Sequence, residues 1–273
     1  MHESILVYRN LLYLKIATIV SGISAIAYVW HQPLGAPNGG TWLGYTLGVV
    51  AAILMLWLAW FGVRKRKYGV GKLNLEDWLS GHVYFGAALL VVATLHSGFQ
   101  LGLNIHSILY CLMLFVIVSG IIGVYFYVRF PRLLSENRRG MSTEIMLGQI
   151  AEIDREIRQL ALALDDATNT AVLLSTQETI VGGSILQQLR GFDPHCPTTH
   201  ARETVDRSAS QGDDGRRRQL LTRLVRKEEL LKRLRRDVQL RAMLRVWLFV
   251  HIPFSIAALV ALVIHVLVVF YYW

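Results

Sequence analysis

The chain has 273 residues, of which 53% are hydrophobic and only 17% charged, and its mean hydropathy is +0.41. A water-soluble domain of this length needs far more polar surface, so the composition excludes an ordinary soluble enzyme and favours a membrane protein. The net charge of +9 does not point to nucleic acid, because the Lys and Arg residues gather in segments that flank apolar runs.

Five stretches are apolar and long enough to cross roughly 30 Å of hydrocarbon, which takes about 20 helical residues. They are predicted near 10–30, 42–63, 79–101, 106–129 and 246–272. The first is followed by no small-residue cleavage site and reads as a retained span. The connection 31–41, HQPLGAPNGGT, is almost uncharged, whereas the one at 64–78 begins Arg64, Lys65, Arg66, Lys67 and adds Lys72. Most of the charge falls between Arg129 and Arg245. Placing both basic connections in the cytoplasm puts the N-terminus inside and the C-terminus outside, as expected for a plasma membrane (in bacteria, the inner membrane). Trp30, Trp42, Trp78, Trp247, Tyr271, Tyr272 and Trp273 stand where interfacial aromatic belts belong.

Between the fourth and fifth spans, Met146, Ile150, Ile153, Ile157, Leu160 and Leu164 recur in steps of three and four. Leu220, Leu224, Leu231, Leu234 and Val238 do the same, with Lys227 in one seam position. Two such stripes, joined by a polar stretch near 190–215, predict an antiparallel helical hairpin of coiled-coil type. Glu228 and Lys232 stand four apart, which suits an exposed helical face. The expected organisation is therefore 1–129 with four transmembrane helices, 130–245 as a cytoplasmic insert, and 246–273 as the fifth span. The fold class is all-α, with a four-helix bundle formed by the second to fifth spans.

Ionisable side chains inside membrane helices are costly and mark function by default. His82 and His96 lie on the third span, His251 and His265 on the fifth. Both pairs are 14 apart (96 − 82 and 265 − 251). Fourteen residues make nearly four full turns, so each pair shares one face, with a rise of roughly 21 Å. The topology sets both helices running in the same direction. His82 and His251 then share the cytoplasmic level, and His96 and His265 the outer level. The geometry suits two haems, each held by one neutral imidazole from either helix, with no open position on the iron. The alternative is four core histidines satisfied by Ser, Thr or backbone groups. No Cys-x-x-Cys-His is present, and the two cysteines, Cys111 and Cys196, make neither a disulfide framework nor a cysteine-rich metal site.

Flat macrocycles need close approach from neighbouring helices, which glycine allows. Gly48 and Gly62 on the second span, again 14 apart, and Gly120 with Gly123 on the fourth are the candidates. Arg241 and Arg245, with Lys72 or Arg129, are candidates to face haem propionates.

Paired histidines on alternate helices of a bundle resemble the haem-binding bundle of respiratory cytochrome b. They resemble still more the ferric reductase-like transmembrane domain of ferric reductases and NADPH oxidases. The matching segments are SGHVYFGAALLVVATLHSGF and VHIPFSIAALVALVIHVLVVF, and the similarity covers 42–129 and 246–272. The resemblance implies two haem b groups, His82/His251 inner and His96/His265 outer. Reductases of that family continue into a sixth helix and a flavin- and nicotinamide-binding domain, for which the chain has no counterpart, and 130–245 matches nothing in them.

There is no Walker motif, no GxGxxG after a strand and no nucleophile elbow. Val181-Gly182-Gly183-Ser184 reads as a turn, and His195, Cys196 and His200 as a polar loop rather than a metal site. The expectation is an electron-transfer subunit, with other redox proteins as donor and acceptor and with no nucleic acid. A quinone-reactive enzyme is the alternative, with Glu76, Asp77 and Lys15 or His31 and His106 as proton-accepting groups. A haem-free scaffold recruiting partners is a third reading. Dimerisation through the hairpin stays open.

Overall fold

The computed structural model describes residues 7–33, 35–66, 75–209 and 215–272. Lys67, Lys72 and Trp273 lie outside the described residues. The described residues are helical or irregular, with no strand among them. In chain order the helices are α1 Tyr8–Trp30, α2 Trp42–Arg66, α3 Leu75–Ser97, α4 Ile105–Arg138, α5 Thr143–Ala161, α6 Asp166–Gln177, α7 Ile185–Arg190, α8 Pro197–Ala209 and α9 Gly215–Tyr272. Five helical stretches, in α1, α2, α3, α4 and α9, are long and apolar enough to cross a membrane. The chain divides into two compact units, one of Met1–Val128 with Trp247–Trp273 and one of Arg129–Val246.

In the first unit, α1 and α2 both pack on α3. Leu43, Leu47 and Ala51 of α2 meet Leu89 and Val92 of α3 and Met113 of α4 in its core. Outward-facing side chains are as apolar as the core: Ile23 is 64% exposed, Val29 75% and Trp30 81%. Inside, the buried residues include Ser24, Asp77, Ser80 and Ser119. Asp77 is fully enclosed, accepts a hydrogen bond from the Tyr13 hydroxyl at 3.0 Å, and pairs with Arg9 at 3.1 Å. A polar interior under an apolar exterior is the arrangement that hydrocarbon solvent stabilises. The third span starts and ends earlier than 79–101. Gly98 follows α3 with a φ of +60°, and a Cβ there would run into the Pro37 carbonyl. Only glycine fits that close approach without strain.

The second unit is built the opposite way. Met146, Ile150, Ile153 and Ile157 of α5 interlock with Leu220, Leu224, Leu231 and Leu234 of α9. The two predicted stripes are thus both buried, but the stretch between them is more than a hairpin connection. It folds into α6, α7 and α8, and Ala171, Val172, Cys196, Ala201 and Val205 complete the core. Those residues are small and widely spaced, so they leave a weak periodic signal, whereas their caps are clear. The Thr168 N–H donates to Asp165 at 3.0 Å at the start of α6. Ser184 and Gln187 form a reciprocal capping box at the start of α7. Val181–Ser184 is accordingly a turn, with Gly183 at a φ of +82°.

Lys227, 1% exposed, sits in this apolar seam because three acceptors meet its ammonium. They are Asp154 at 2.6 Å, the Ser175 carbonyl at 2.7 Å and the Ser175 hydroxyl at 3.0 Å. Burial still pulls the lysine below its usual pKa, against the opposing pull of Asp154. Glu228 turns away from Lys232 and pairs with Arg202 of α8 at 2.8 Å. Cys196 is buried beside Arg235 at 3.3 Å. Burial pushes its thiol up, but the Thr199 and Thr198 backbone groups and Arg235 outweigh it and hold the thiol below its ordinary value.

Candidate functional site

All four intramembrane histidines belong to the first unit, and they meet in two groups. His82 and His251 are close enough to interact electrostatically. At the other level, the rings of His96 and His265 stand 6.1 Å apart, centroid to centroid, with planes at 84°.

Three of the four rings use Nδ1 in a hydrogen bond, and at His96 the partner fixes which nitrogen is left over. His96 Nδ1 lies 2.7 Å from the Gly44 carbonyl. A carbonyl only accepts, so Nδ1 carries the proton and Nε2 presents a lone pair. His251 Nδ1 lies 2.7 Å from the Ser119 hydroxyl. With its proton on the Val116 carbonyl at 2.8 Å, Ser119 accepts the Nδ1–H of His251; with its proton turned to the ring, the tautomer is reversed. His265 uses Nδ1 as well, at 2.6 Å from His106 Nδ1. His82 differs: its Nδ1 is buried without a hydrogen-bond partner among the described residues, although the Leu58 backbone lies nearby. Trp78 Nε1, one turn earlier on α3, is equally orphaned. Buried polar groups are normally satisfied, which makes these two nitrogens exceptions.

Around each ring the packing is close. A Cβ at Gly48 would stand 2.8 Å from His96 Cε1, so glycine is required there for the imidazole to lie against α2. Trp247 stacks on His251 with centroids 5.2 Å apart and donates through Nε1 to the Ser119 carbonyl at 2.7 Å. Gly123 leaves the room that Trp247 fills. Phe61 tilts over His82 at 5.0 Å.

The other expected contacts divide. Gly120 faces His251, with a hypothetical Cβ at an ordinary 3.8 Å. Gly62 has no described protein atom within 4 Å of where a Cβ would stand. Arg241, in the second unit, is committed to Asp237 at 3.1 Å, and Arg245 of the same unit is exposed. Among the proton-accepting candidates, Asp77 is tied to Tyr13 and Arg9. His106 proves to be a partner of His265, and His31 packs edge-on against Trp42.

Sequence reasoning missed Gly44, Ser119 and Trp247 as partners of the histidine rings. Ser119 and Trp247 carry no spacing signal, and the Gly44 contact is made by backbone, which has no side-chain signature.

No group of three or more His, Cys, Asp or Glu side chains among the described residues is arranged to hold a bare metal ion. A haem needs only two imidazoles per iron, each with its second nitrogen engaged elsewhere, a condition that His96, His251 and His265 meet and His82 does not. No family model, no curated protein and no solved structure matches the chain.

Proposed function

We propose that the chain is a di-haem b-type cytochrome that carries electrons across a membrane between two haems, as a subunit of a larger redox complex. The ligands are His82 with His251 at the cytoplasmic level and His96 with His265 at the outer level. One observation supports this above the others. His96 is held by the Gly44 carbonyl with Nδ1 protonated and Nε2 left over, which is the tautomer that ligation through Nε2 demands.

Haem iron closed by an imidazole on each face takes up and releases one electron without offering a site for oxygen. The chain's own residues orient and enclose. Gly44 and Ser119 fix ring orientation, Gly48 and Trp247 hold the rings in place, and the apolar exterior keeps water from both levels. A rise of roughly 21 Å between the two levels suits transfer from one membrane face towards the other. Donor and acceptor are other redox proteins in this reading. The resemblance to ferric reductase-like domains and to cytochrome b rests on the same four residues. The N-terminus and the second unit lie on the cytoplasmic side in this reading, because the basic segments do.

The test is a reduced-minus-oxidised visible spectrum of the detergent-purified chain with a pyridine haemochrome assay. Two non-covalent haems per chain, falling towards one in His96→Ala or His265→Ala, are expected. A flat spectrum from folded, haem-supplied protein would overturn the proposal.

A further inference from the structure

At the outer level a third imidazole joins the pair. His106 stands on the first turn of α4, where Asn104 caps the helix by accepting from the Ser107 N–H at 3.1 Å. Its ring meets that of His265 edge-on, with centroids 4.6 Å apart and planes at 89°, and the two Nδ1 atoms are 2.6 Å apart. An imidazole–imidazole hydrogen bond needs one donor and one acceptor. Either histidine can play either part, so this bond alone leaves two tautomeric arrangements. His96, the other imidazole of this level, supplies the pattern. It is an Nδ1–H donor to the Gly44 carbonyl, a group that can only accept, and therefore keeps Nε2 as the binding nitrogen.

We infer that His106 is a positioning residue that completes this pattern. It accepts the Nδ1–H of His265, so that Nε2 of His265 faces the iron, and it keeps its own proton on Nε2. The inference rests on the haem reading of the same site. It assigns a role that neither Gly44 nor Ser119 can match. A neighbouring imidazole is a stronger base than a carbonyl or hydroxyl oxygen, so it shifts electron density onto His265 and makes it the more basic ligand. A more basic ligand favours ferric over ferrous iron, and hydrogen bonding around a ligand is one of the levers that set a haem potential. The outer haem is thereby held at a lower potential than its ligand pair alone would give.

The experiment is a potentiometric titration of the full-length, detergent-purified protein, with low-temperature electron paramagnetic resonance of the oxidised form. His106→Leu and His106→Phe remove the acceptor, and His106→Gln keeps one in its amide oxygen. The outer haem is identified as the one lost or altered in His96→Ala. In the Leu and Phe variants its potential is expected to rise and its low-spin signal to change. A tenfold loss of ferric preference corresponds to about 59 mV. The inner haem should not move, and His106→Gln should return most of the shift. Two haems with unmoved outer potential in both apolar variants would overturn the inference, as would a Gln variant displaced as far as they are. A wild-type protein without visible absorbance would instead remove the haem reading itself. A wild-type spectrum with no response to His106 removes only the role of His106.

Discussion

The two units of this chain are built from the same helices with opposite solvents in mind. In the first, isoleucines, valines and tryptophans face outward, while Ser24, Asp77, Ser80 and Ser119 are enclosed. In the second, leucines and isoleucines close on one another, and arginines and glutamates line the surface in pairs such as Arg223–Glu156 at 2.9 Å and Arg202–Glu228 at 2.8 Å. In water, burying Leu224 or Ile157 supplies the driving force. In hydrocarbon an exposed Ile23 loses nothing, and what specifies a unique packing is small residues and satisfied polar groups. The difference also locates the chemistry. A polar group inside the first unit is there at a cost, so each unsatisfied one, His82 Nδ1 and Trp78 Nε1 among them, asks for a partner.

Five substitutions and a pH titration break or sharpen that contrast. The largest effect is expected for Asp154→Ala in the second unit, which leaves the Lys227 ammonium buried with only neutral acceptors. Loss of one partner of a buried pair costs about 3–5 kcal/mol. Urea unfolding of the whole chain, followed by limited proteolysis between α5 and α9, should show the loss, and unchanged protease resistance would show that the seam does not depend on that pair. Next comes Ile23→Asp on the outer face of the first unit. A charge facing hydrocarbon costs roughly 2.5–3.5 kcal/mol at a helix centre, so insertion into membranes should fall. If the variant inserts as well as the parent, that face does not meet lipid. The same substitution on a water-facing helix would pass unnoticed.

Gly48→Ala should perturb the site by about 1–3 kcal/mol of overpacking, because the new methyl would press on His96. Gly62→Ala meets nothing and should be silent. Haem content of the two variants, measured side by side, tests both statements. Loss of haem from Gly62→Ala would support the haem-facing role expected from its spacing.

Lys227 supplies a titration with a definite sign. Its folded pKa lies below the usual 10.5, with burial as the first cause, so the unfolded chain holds that proton more tightly. The buried charge costs stability fully below the folded pKa. The cost is relieved as pH rises through the folded pKa towards 10.5. The second unit should therefore unfold at higher urea as pH is raised through that window, and Lys227→Met should flatten the slope. The smallest effect, about 1 kcal/mol, is expected for Asp165→Ala, which removes the cap of α6. Hydrogen exchange at the start of α6 would report it.

Much of the architecture was legible because it depends on repeating chemistry. Twenty apolar residues in a row, an apolar step of three and four, and a 14-residue interval between histidines are properties of a helix alone, and a helix is a local structure. They determined five membrane-length helices, the apolar seam of α5 and α9, and the four histidines as the residues to watch. What only the tertiary structure decided is everything that needs two distant segments to meet. The pairing of Ser119 with His251 spans 132 residues, and that of His106 with His265 spans 159. The folding of 162–209 into α6, α7 and α8 belongs with these, since its helices share one core with α5 and α9 and carry little periodicity of their own. The same holds for the contrast between Gly48 and Gly62. Spacing along one helix sets the face on which a residue stands, but only the neighbouring helix determines whether that face is crowded.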